Sequence, residues 1–539
     1  MIKHHTNLQR FLTNWGKQPE LQFVPKILTK FPSATVYLVG GMVRDIALGR
    51  DSKDFDLVVT GVLARHLEAE LAKMGTVDLV GKSFGVFKFV PKGGDPHDPL
   101  DIALPRREHA FGTGGYRDVN VQSDHRLPIA DDLSRRDFTI NAMALQLLTG
   151  NFELDHRLVD PFGGMADIAA KKIRAVGKPE ERFREDYSRM LRAIRLACQL
   201  DFEVETATWR ALLRQIKNLN RRVENERIVP YEVIAKELVK ALTAHPVWAL
   251  ELLDDCGVIK LLMPELLRMK KCPQPPQFHS EGDVWAHTVL ALGKLGSPAF
   301  RREFPPTGDH PQGDKMTASV IPSPVEGSHT KKFAIRNSQS AISSELVWAT
   351  LFHDVGKPYT LTFADRIRTN GHDIKSAELF GKTAERLKLS STGLDVSSVE
   401  RVIAKHLLAT HAKKSEMKET TVEKYFYSEN FPGNLLLQLT FADIGASVPP
   451  SGRPDFTCYR RLKQRITALG KRLKSKRVLP PSLLDGHEIM ALLKIPPSQK
   501  IKEVKDYLRE LQLAGKMKTK AQAKKAIIKK FQVKSNPHR

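Results

Sequence analysis

Cysteine is scarce. Only Cys198, Cys256, Cys272 and Cys458 occur in 539 residues, with no CxxC pair and no even spacing. That excludes a disulfide framework and fits a reducing compartment. Long apolar runs are missing too, so no segment is expected to span a bilayer. The first residues, MIKHHTNLQRFLTNWGK, lack the apolar core of a signal peptide, and a soluble cytoplasmic protein with no membrane partner is expected. Acidic residues are in deficit, 61 against 85 lysines and arginines, giving a formal charge of +24 and a pI near 9.7. Such an excess suggests a polyanionic partner, most often nucleic acid, the alternative being a generically basic protein. What is present suffices for cores: apolar residues make up 41%, and the length allows two to four domains.

Residues 1–30 read as a helical lead-in, and 35–160 mix strand-like runs (VYLVG, DLVVT, GVFKFVP) with helical ones (ARHLEAELAKMG). That mixture predicts an α/β or α+β unit. From about 161 the pattern turns helical, as in YSRMLRAIRLACQL and YEVIAKELVKALT. Residues 303–344, rich in Pro, Gly and Ser with no periodicity, read as a disordered insertion or surface loop. Helices resume at Ser344, a Pro480–Pro481 break precedes a compact helical tail, and no internal repeat is found.

The stretch YLVGGMVRDIALGRDSKDFDLVVT carries chemistry. VYLVGG reads as a buried strand ending in a tight glycine turn, where backbone amides can approach a ligand closely. In the next strand, DFDLVV, Asp54 and Asp56 share a face while Phe55 points to the core. Neighbouring carboxylates repel unless a cation lies between them, and Mg²⁺ takes such oxygen ligands. An exposed edge strand with two solvated aspartates is the plainer alternative. A phosphate cradle beside a DxD pair suggests phosphoryl or nucleotidyl transfer. Farther on stand DDLSRRDFTINAMAL, with Arg135, Arg136, Asp137 and Asn141, and RFREDYSRMLRAIRLACQL. In the latter, the spacing of Asp186, Arg189, Arg192 and Arg195 predicts one helix face, with Leu191, Ile194 and Ala197 packing inward. That stripe is either a solvated face or a row of donors for a triphosphate.

Together LVGGMVRD, KDFDLVV, RRDFTINAMAL, DPFGGMADI and REDYSRMLRAIRLA resemble the class II bacterial tRNA nucleotidyltransferases, the CCA-adding enzyme and poly(A) polymerase family, in order over roughly 35–200. The resemblance implies an α+β fold: a polymerase-β-like nucleotidyltransferase head, then an all-helical neck, body and tail. It implies that Asp54 and Asp56 hold Mg²⁺ and that Gly40, Gly41, Arg44 and Arg136 meet the triphosphate. Asp186 and Arg189 would present a pairing edge to the base, and Arg192 and Arg195 would add nucleotide contacts. An aspartate accepts from the exocyclic amine of C or A, which U and G replace with a carbonyl, and an arginine donates to the neighbouring ring acceptor. Tyr187-Ser188 stands where the family often has Pro-Leu, and Asp101 is either a third carboxylate or structural.

A second constellation comprises His287, His353-Asp354 and Asp443, extended by His372 and His406. It resembles the HD phosphohydrolase superfamily, found in some CCA-adding enzymes with phosphatase and 2′,3′-cyclic phosphodiesterase activity. Imidazole with carboxylate suits Ni²⁺, Mn²⁺, Zn²⁺ or Fe²⁺. The implied organisation is a head at 1–160, a helical neck at 161–275, an HD domain at 276–450 and a basic, tRNA-binding tail at 451–539. The insertion lengthens a loop between His287 and His353 and is tolerable because closure entropy grows slowly.

Basic text gathers late, in YRRLKQRITALGKRLKSKR and from Lys516 onward, and is expected to track an RNA backbone. The leading expectation is template-free addition of C, C and A to tRNA 3′ ends from CTP and ATP. Poly(A) synthesis or partial CC- or A-addition stays open, because the segment between Glu108 and Arg136 that would govern the switch is not readable. An HD-type phosphohydrolase with a nucleotide-binding head is the third reading.

Overall fold

The computed structural model describes residues 2–51, 55–80, 86–110, 113–115, 119–148, 157–305, 342–363, 366–413, 417–473 and 481–531. They form two compact units, Met1–Leu262 and Met263–Arg539. The expected head and most of the expected neck fall in the first, and the expected HD and tail segments in the second. Most of the 303–344 stretch lies outside the described residues. No described helix is long and apolar enough to cross a membrane.

The first unit begins with the helices Ile2–Asn14 and Val24–Lys30, which bury Leu8, Leu12, Val24 and Ile27. Its first nine strands are β1 (Thr35–Val39), β2 (Asp56–Thr60), β3 (Gly75–Val80), β4 (Val86–Pro91), β5 (Leu100–Ala103), β6 (Arg106–Ala110), β7 (Val119–Ser123), β8 (Ala144–Leu147) and β9 (Leu158–Val159). Seven of them make one mixed sheet in the order β3-β4-β5-β2-β1-β8-β9, while β6 and β7 pair separately. β2 runs antiparallel to β1 and parallel to β5, with Asp56 in register with Asp101. The alternation of the strands explains the sheet: Val36, Leu38, Leu57, Val59, Phe87, Phe89 and Ile102 are all buried. Phe55 is buried as its position predicts.

Beyond these strands the unit is mainly helical, with two short strand pairs, Lys172–Ile173 with Glu203–Val204 and Arg222–Val223 with Glu226–Arg227. Helix Ser188–Leu200 buries Leu191, Ile194 and Ala197, the inward face its periodicity predicts. Asp186, however, is not on that helix. It stands extended (φ −155°, ψ 105°) between helix Pro179–Glu185 and helix Ser188–Leu200, and its Oδ1 accepts the Ser188 backbone N–H at 2.8 Å. A side-chain bond to the backbone two residues on favours an extended, non-helical residue, which is why the three-residue spacing misplaces it.

In the second unit, described elements are helices apart from one two-stranded hairpin at Thr362–Phe363 and Ile367–Arg368. Val284–Leu295, Ser344–Phe352, His372–Leu387, Val396–Ile403 and Gly433–Ala446 surround a core that includes Trp348, Phe352 and Phe380. The helices Gly486–Leu493, Gln499–Leu513 and Lys520–Phe531 enclose a small core of their own around Ile489, Val504 and Ile527.

Candidate functional site

The first site gathers at one end of the large sheet. β1 ends at Val39, and Gly40 turns the chain with φ +73° into helix Gly41–Leu48. This is a backbone region that only glycine enters cheaply. The turn is close-packed: a Cβ on Gly40 would lie 2.7 Å from Arg136 Nη1 and 3.6 Å from Asp56 Oδ2. Gly40, Asp56 and Arg136 are therefore brought together. A Cβ on Gly41 would lie 3.3 Å from Arg44 Nη2. Asp101, in register beside Asp56, carries an ion pair with Lys88 from β4. Asp54 lies outside the described residues. The described donors at this corner are hard carboxylate oxygens, the kind a hard divalent cation takes.

Buried acids hold the arginines. Asp132, fully buried, accepts from Arg135 Nη2 at 2.7 Å and Arg136 Nη2 at 3.1 Å. Its burial opposes ionisation, but Arg136 and Arg135 hold its carboxyl below the ordinary value. Asp137 is likewise buried, and Arg192 and Arg189 hold it low against that burial. A hydrogen-bonded chain crosses the site. Arg44 Nη1 donates to Asn141 Oδ1 (2.5 Å), Asn141 Nδ2 to Asp137 Oδ1 (3.1 Å), and Arg192 Nη1 to Asp137 Oδ2 (3.1 Å). Arg136 Nε and Arg192 Nε are buried donors with no hydrogen-bond partner among the described residues. Arg189 is held by Glu185 Oε2 at 2.7 Å and by the carbonyls of Arg182 and Arg135. Arg195 departs from this group: its Nε donates to Glu237 at 2.6 Å and its Nη1 to Gln199 at 2.7 Å, fastening its helix to Tyr231–Ala244. Spacing placed Arg195 in the stripe, and the buried acid that takes it up comes from distant sequence.

The second unit brings all six predicted histidines and aspartates into one cluster. His287 Nε2 lies 3.0 Å from Asp443 Oδ1, and His353 Nε2 lies 3.3 Å from Asp354 Oδ2 and 3.6 Å from Asp443 Oδ1. The other Asp354 oxygen faces His372 Nε2 at 3.2 Å and His406 Nε2 at 3.7 Å. Asp354 thus divides the cluster into two groups of possible ligands, His287-His353-Asp354 and Asp354-His372-His406.

The tautomers follow from the outer partners. The Nδ1 atoms of His353, His372 and His406 meet the carbonyls of Thr350, Thr369 and Ile403 at 2.8, 2.7 and 2.7 Å. A carbonyl only accepts, so each Nδ1 carries the proton and each neutral ring turns an Nε2 lone pair inward. His372 Nε2 and His406 Nε2 stand 3.2 Å apart in this way. Converging lone pairs and carboxylates require a cation or a proton between them, so these residues fit a divalent metal. Burial pushes His406 down to about 4, helped by His372 and His353, keeping it neutral. His353 is pushed up to about 10, Asp354 and Asp443 prevailing over burial, so with no cation between them its Nε2 holds the proton that a bound metal would displace.

Two residues that the sequence did not single out close this site. Lys357 Nζ, buried, lies 2.6 Å from Asp354 Oδ2 and donates to Gln274 Oε1 at 2.7 Å. Glu281 Oε1 lies 2.8 Å from His287 Nδ1. Lys357 could have been found from its place one helical turn after Asp354, whereas nothing in sequence marks Glu281.

In the basic tail, helix Thr457–Leu473 spends part of its charge internally: Lys463 pairs with Glu303 and Arg472 with Glu419.

Residues 36–174 match the poly A polymerase head domain. The multifunctional CCA protein of Cupriavidus metallidurans is 37% identical over 264 residues, 49% of this chain and 59% of its own length. That of Paracidovorax citrulli is 33% identical over 357 residues, 66% of this chain and 69% of its own. A solved CCA-adding enzyme with ATP superposes with a TM-score of 0.56 at 19% identity, covering 97% of this chain and 96% of that one, a likeness of fold. The matched stretch thus spans between 59% and 69% of the length of these two relatives. On this sequence and fold, the chain belongs to the multifunctional CCA protein family.

Proposed function

We propose that this chain completes the 3′ end of tRNA by template-free transfer of C, C and A from CTP and ATP. The observation that carries the reading is the corner where Asp56 and Asp101 stand in register beside Gly40 and Arg136. Asp54 and Asp56, with Asp101 adjacent, would hold Mg²⁺, which supplies charge neutralisation at the triphosphate and polarises the attacking hydroxyl. The glycine turn lets backbone approach the triphosphate, and Arg44, Arg136 and Arg192 present guanidinium donors to it. The RNA 3′-hydroxyl oxygen bonds to the α-phosphorus as the bond to pyrophosphate breaks, and no protein nucleophile is needed. Asp186 uses Oδ1 to accept the Ser188 N–H and offers Oδ2 to the exocyclic amine of C or A, while Arg189 donates to the neighbouring ring acceptor. A U or G would leave buried polar groups unpaired, at about 1–3 kcal/mol each.

The test is to incubate tRNA lacking its 3′ end with each nucleoside triphosphate alone and in combination, and read product length on a gel. Addition that stops at CCA is expected. CC alone, A alone or long A tracts would select a partial adder or a poly(A) polymerase, and no extension would favour the hydrolase reading.

The inward-facing Nε2 lone pairs of the second unit support an additional activity, metal-dependent hydrolysis of phosphate esters. His287, His353, Asp354 and Asp443, with His372 and His406, would hold Ni²⁺, Mn²⁺, Zn²⁺ or Fe²⁺, which supplies an activated water. Hydrolysis of 2′,3′-cyclic AMP that a chelator stops and one of these ions restores is expected, and hydrolysis indifferent to the chelator would contradict it.

A further inference from the structure

One carboxylate outside the HD set ties that set together. Glu281 precedes helix Val284–Leu295, and its side chain is only 2% exposed. Its Oε1 accepts from Nδ1 of His279 at 2.7 Å and from Nδ1 of His287 at 2.8 Å. Its Oε2 accepts the backbone N–H of Val448 at 3.0 Å. Next to it, the Ser280 backbone N–H and hydroxyl both donate to the Val448 carbonyl, each at 2.7 Å. Val448 closely follows helix Gly433–Ala446, which carries Asp443, and Asp443 Oδ1 lies 3.0 Å from His287 Nε2. The contacts close a ring through Glu281, His287, Asp443, the helix end and Val448.

We propose that Glu281 is the positioning residue of the HD centre. An ionised carboxylate can only accept, so Glu281 fixes the His287 proton on Nδ1 and directs the Nε2 lone pair toward Asp443, His353 and Asp354. Through its other oxygen it pins the end of the Asp443 helix against the same histidine. It thereby sets both the tautomer of one ligand and the separation of two. A buried acid that merely stabilised the fold would need neither the shared Nδ1 partner nor the tie to the Asp443 helix. The proposal rests on the reading of this cluster as a metal centre.

The test titrates metal-free, full-length protein with Ni²⁺ by calorimetry, Mg²⁺ being kept in excess to fill carboxylate-only sites. The wild-type chain is compared with Glu281→Gln and Glu281→Ala, and the melting temperature of the metal-free protein is the second readout. Gln keeps the size and one acceptor oxygen but turns an NH₂ toward the Val448 N–H. Glu281→Gln is expected to lose about 10- to 100-fold in Ni²⁺ affinity while melting near the wild type. Glu281→Ala is expected to lose at least as much. Wild-type Ni²⁺ affinity in Glu281→Gln, or a loss that only follows a fall in melting temperature, would overturn the proposal. Wild-type protein that binds no Ni²⁺ would overturn the metal-centre reading itself, an outcome distinct from the other two.

Discussion

At the scale of single residues, the account turns on which side chains meet. Asp56 and Asp101 lie side by side because parallel strands β2 and β5 are in register there, and Gly40 lets Arg136 come close. Asp56→Ala should reduce nucleotide addition by about 10²–10³-fold or more, since a ligand of the Mg²⁺ that would neutralise charge at the reacting phosphate is lost. Single-turnover extension of tRNA, with melting temperature as a fold control, checks this. Asp186→Ala should act on choice rather than rate. Losing one polar partner narrows the preference for CTP over UTP by about 1–3 kcal/mol, roughly 5- to 150-fold. The ratio of kcat/KM values for the two triphosphates measures it. Much at this scale is legible in sequence. The glycine turn and the DxD strand name the corner, and the H…HD…D spacing names the cluster. What is not legible is how each cation is spent. A helical stripe gives a direction, but nothing local shows that Arg195 meets the buried Glu237 or that Glu281 grips His287.

At the scale of elements, short junctions do the positioning. The two-residue break at Asp186 and Tyr187 separates two helices and frees the Asp186 carboxylate from the helical stripe that sequence periodicity suggests. The chain from Arg44 through Asn141 and Asp137 to Arg192 joins helix Gly41–Leu48 to helix Ser188–Leu200. Asn141→Ala breaks it at its centre, removing the acceptor of Arg44 Nη1 while Nε and Nη2 keep Asp45, and removing one donor to Asp137 while Arg192 and the Phe138 N–H remain. KM for both CTP and ATP should rise, roughly 10-fold for a lost charge-assisted hydrogen bond of about 1.5 kcal/mol. An unchanged KM with a lowered melting temperature would mark the amide as structural only. Gly40→Ala is harsher, because its φ of +73° strains any side chain and the new Cβ would lie 2.7 Å from Arg136 Nη1. Loss of extension activity with the sheet retained, seen by circular dichroism, is the expected result. The runs VYLVG, DLVVT and GVFKFVP mark β1, β2 and β4 and helical periodicity marks Ser188–Leu200 and Tyr231–Ala244, while the shorter strands and the ends of all these elements depend on caps and contacts that a repeat does not encode.

At the scale of the whole molecule, two compact units carry two sets of groups, carboxylates with arginines in one and histidines with aspartates in the other. The formal charge of +24 belongs to the entire chain, and even the basic helix Thr457–Leu473 pairs some of it internally. tRNA binding should still weaken steeply with salt, by about 10³-fold between 50 and 200 mM if some six phosphates are contacted. A filter-binding series across salt concentrations gives the slope. The separation of the two sets predicts that Asp354→Asn abolishes metal-dependent ester hydrolysis without the loss of nucleotide addition that Asp56→Ala causes. The most direct measurement of the central claim uses tRNA ending in CC, supplied with ATP and Mg²⁺, and compares the wild-type chain with Asp56→Ala. The wild-type chain should add a single A and stop, and the variant should add none on the same timescale. Undiminished addition by Asp56→Ala, or no addition by the wild-type chain, would contradict the account.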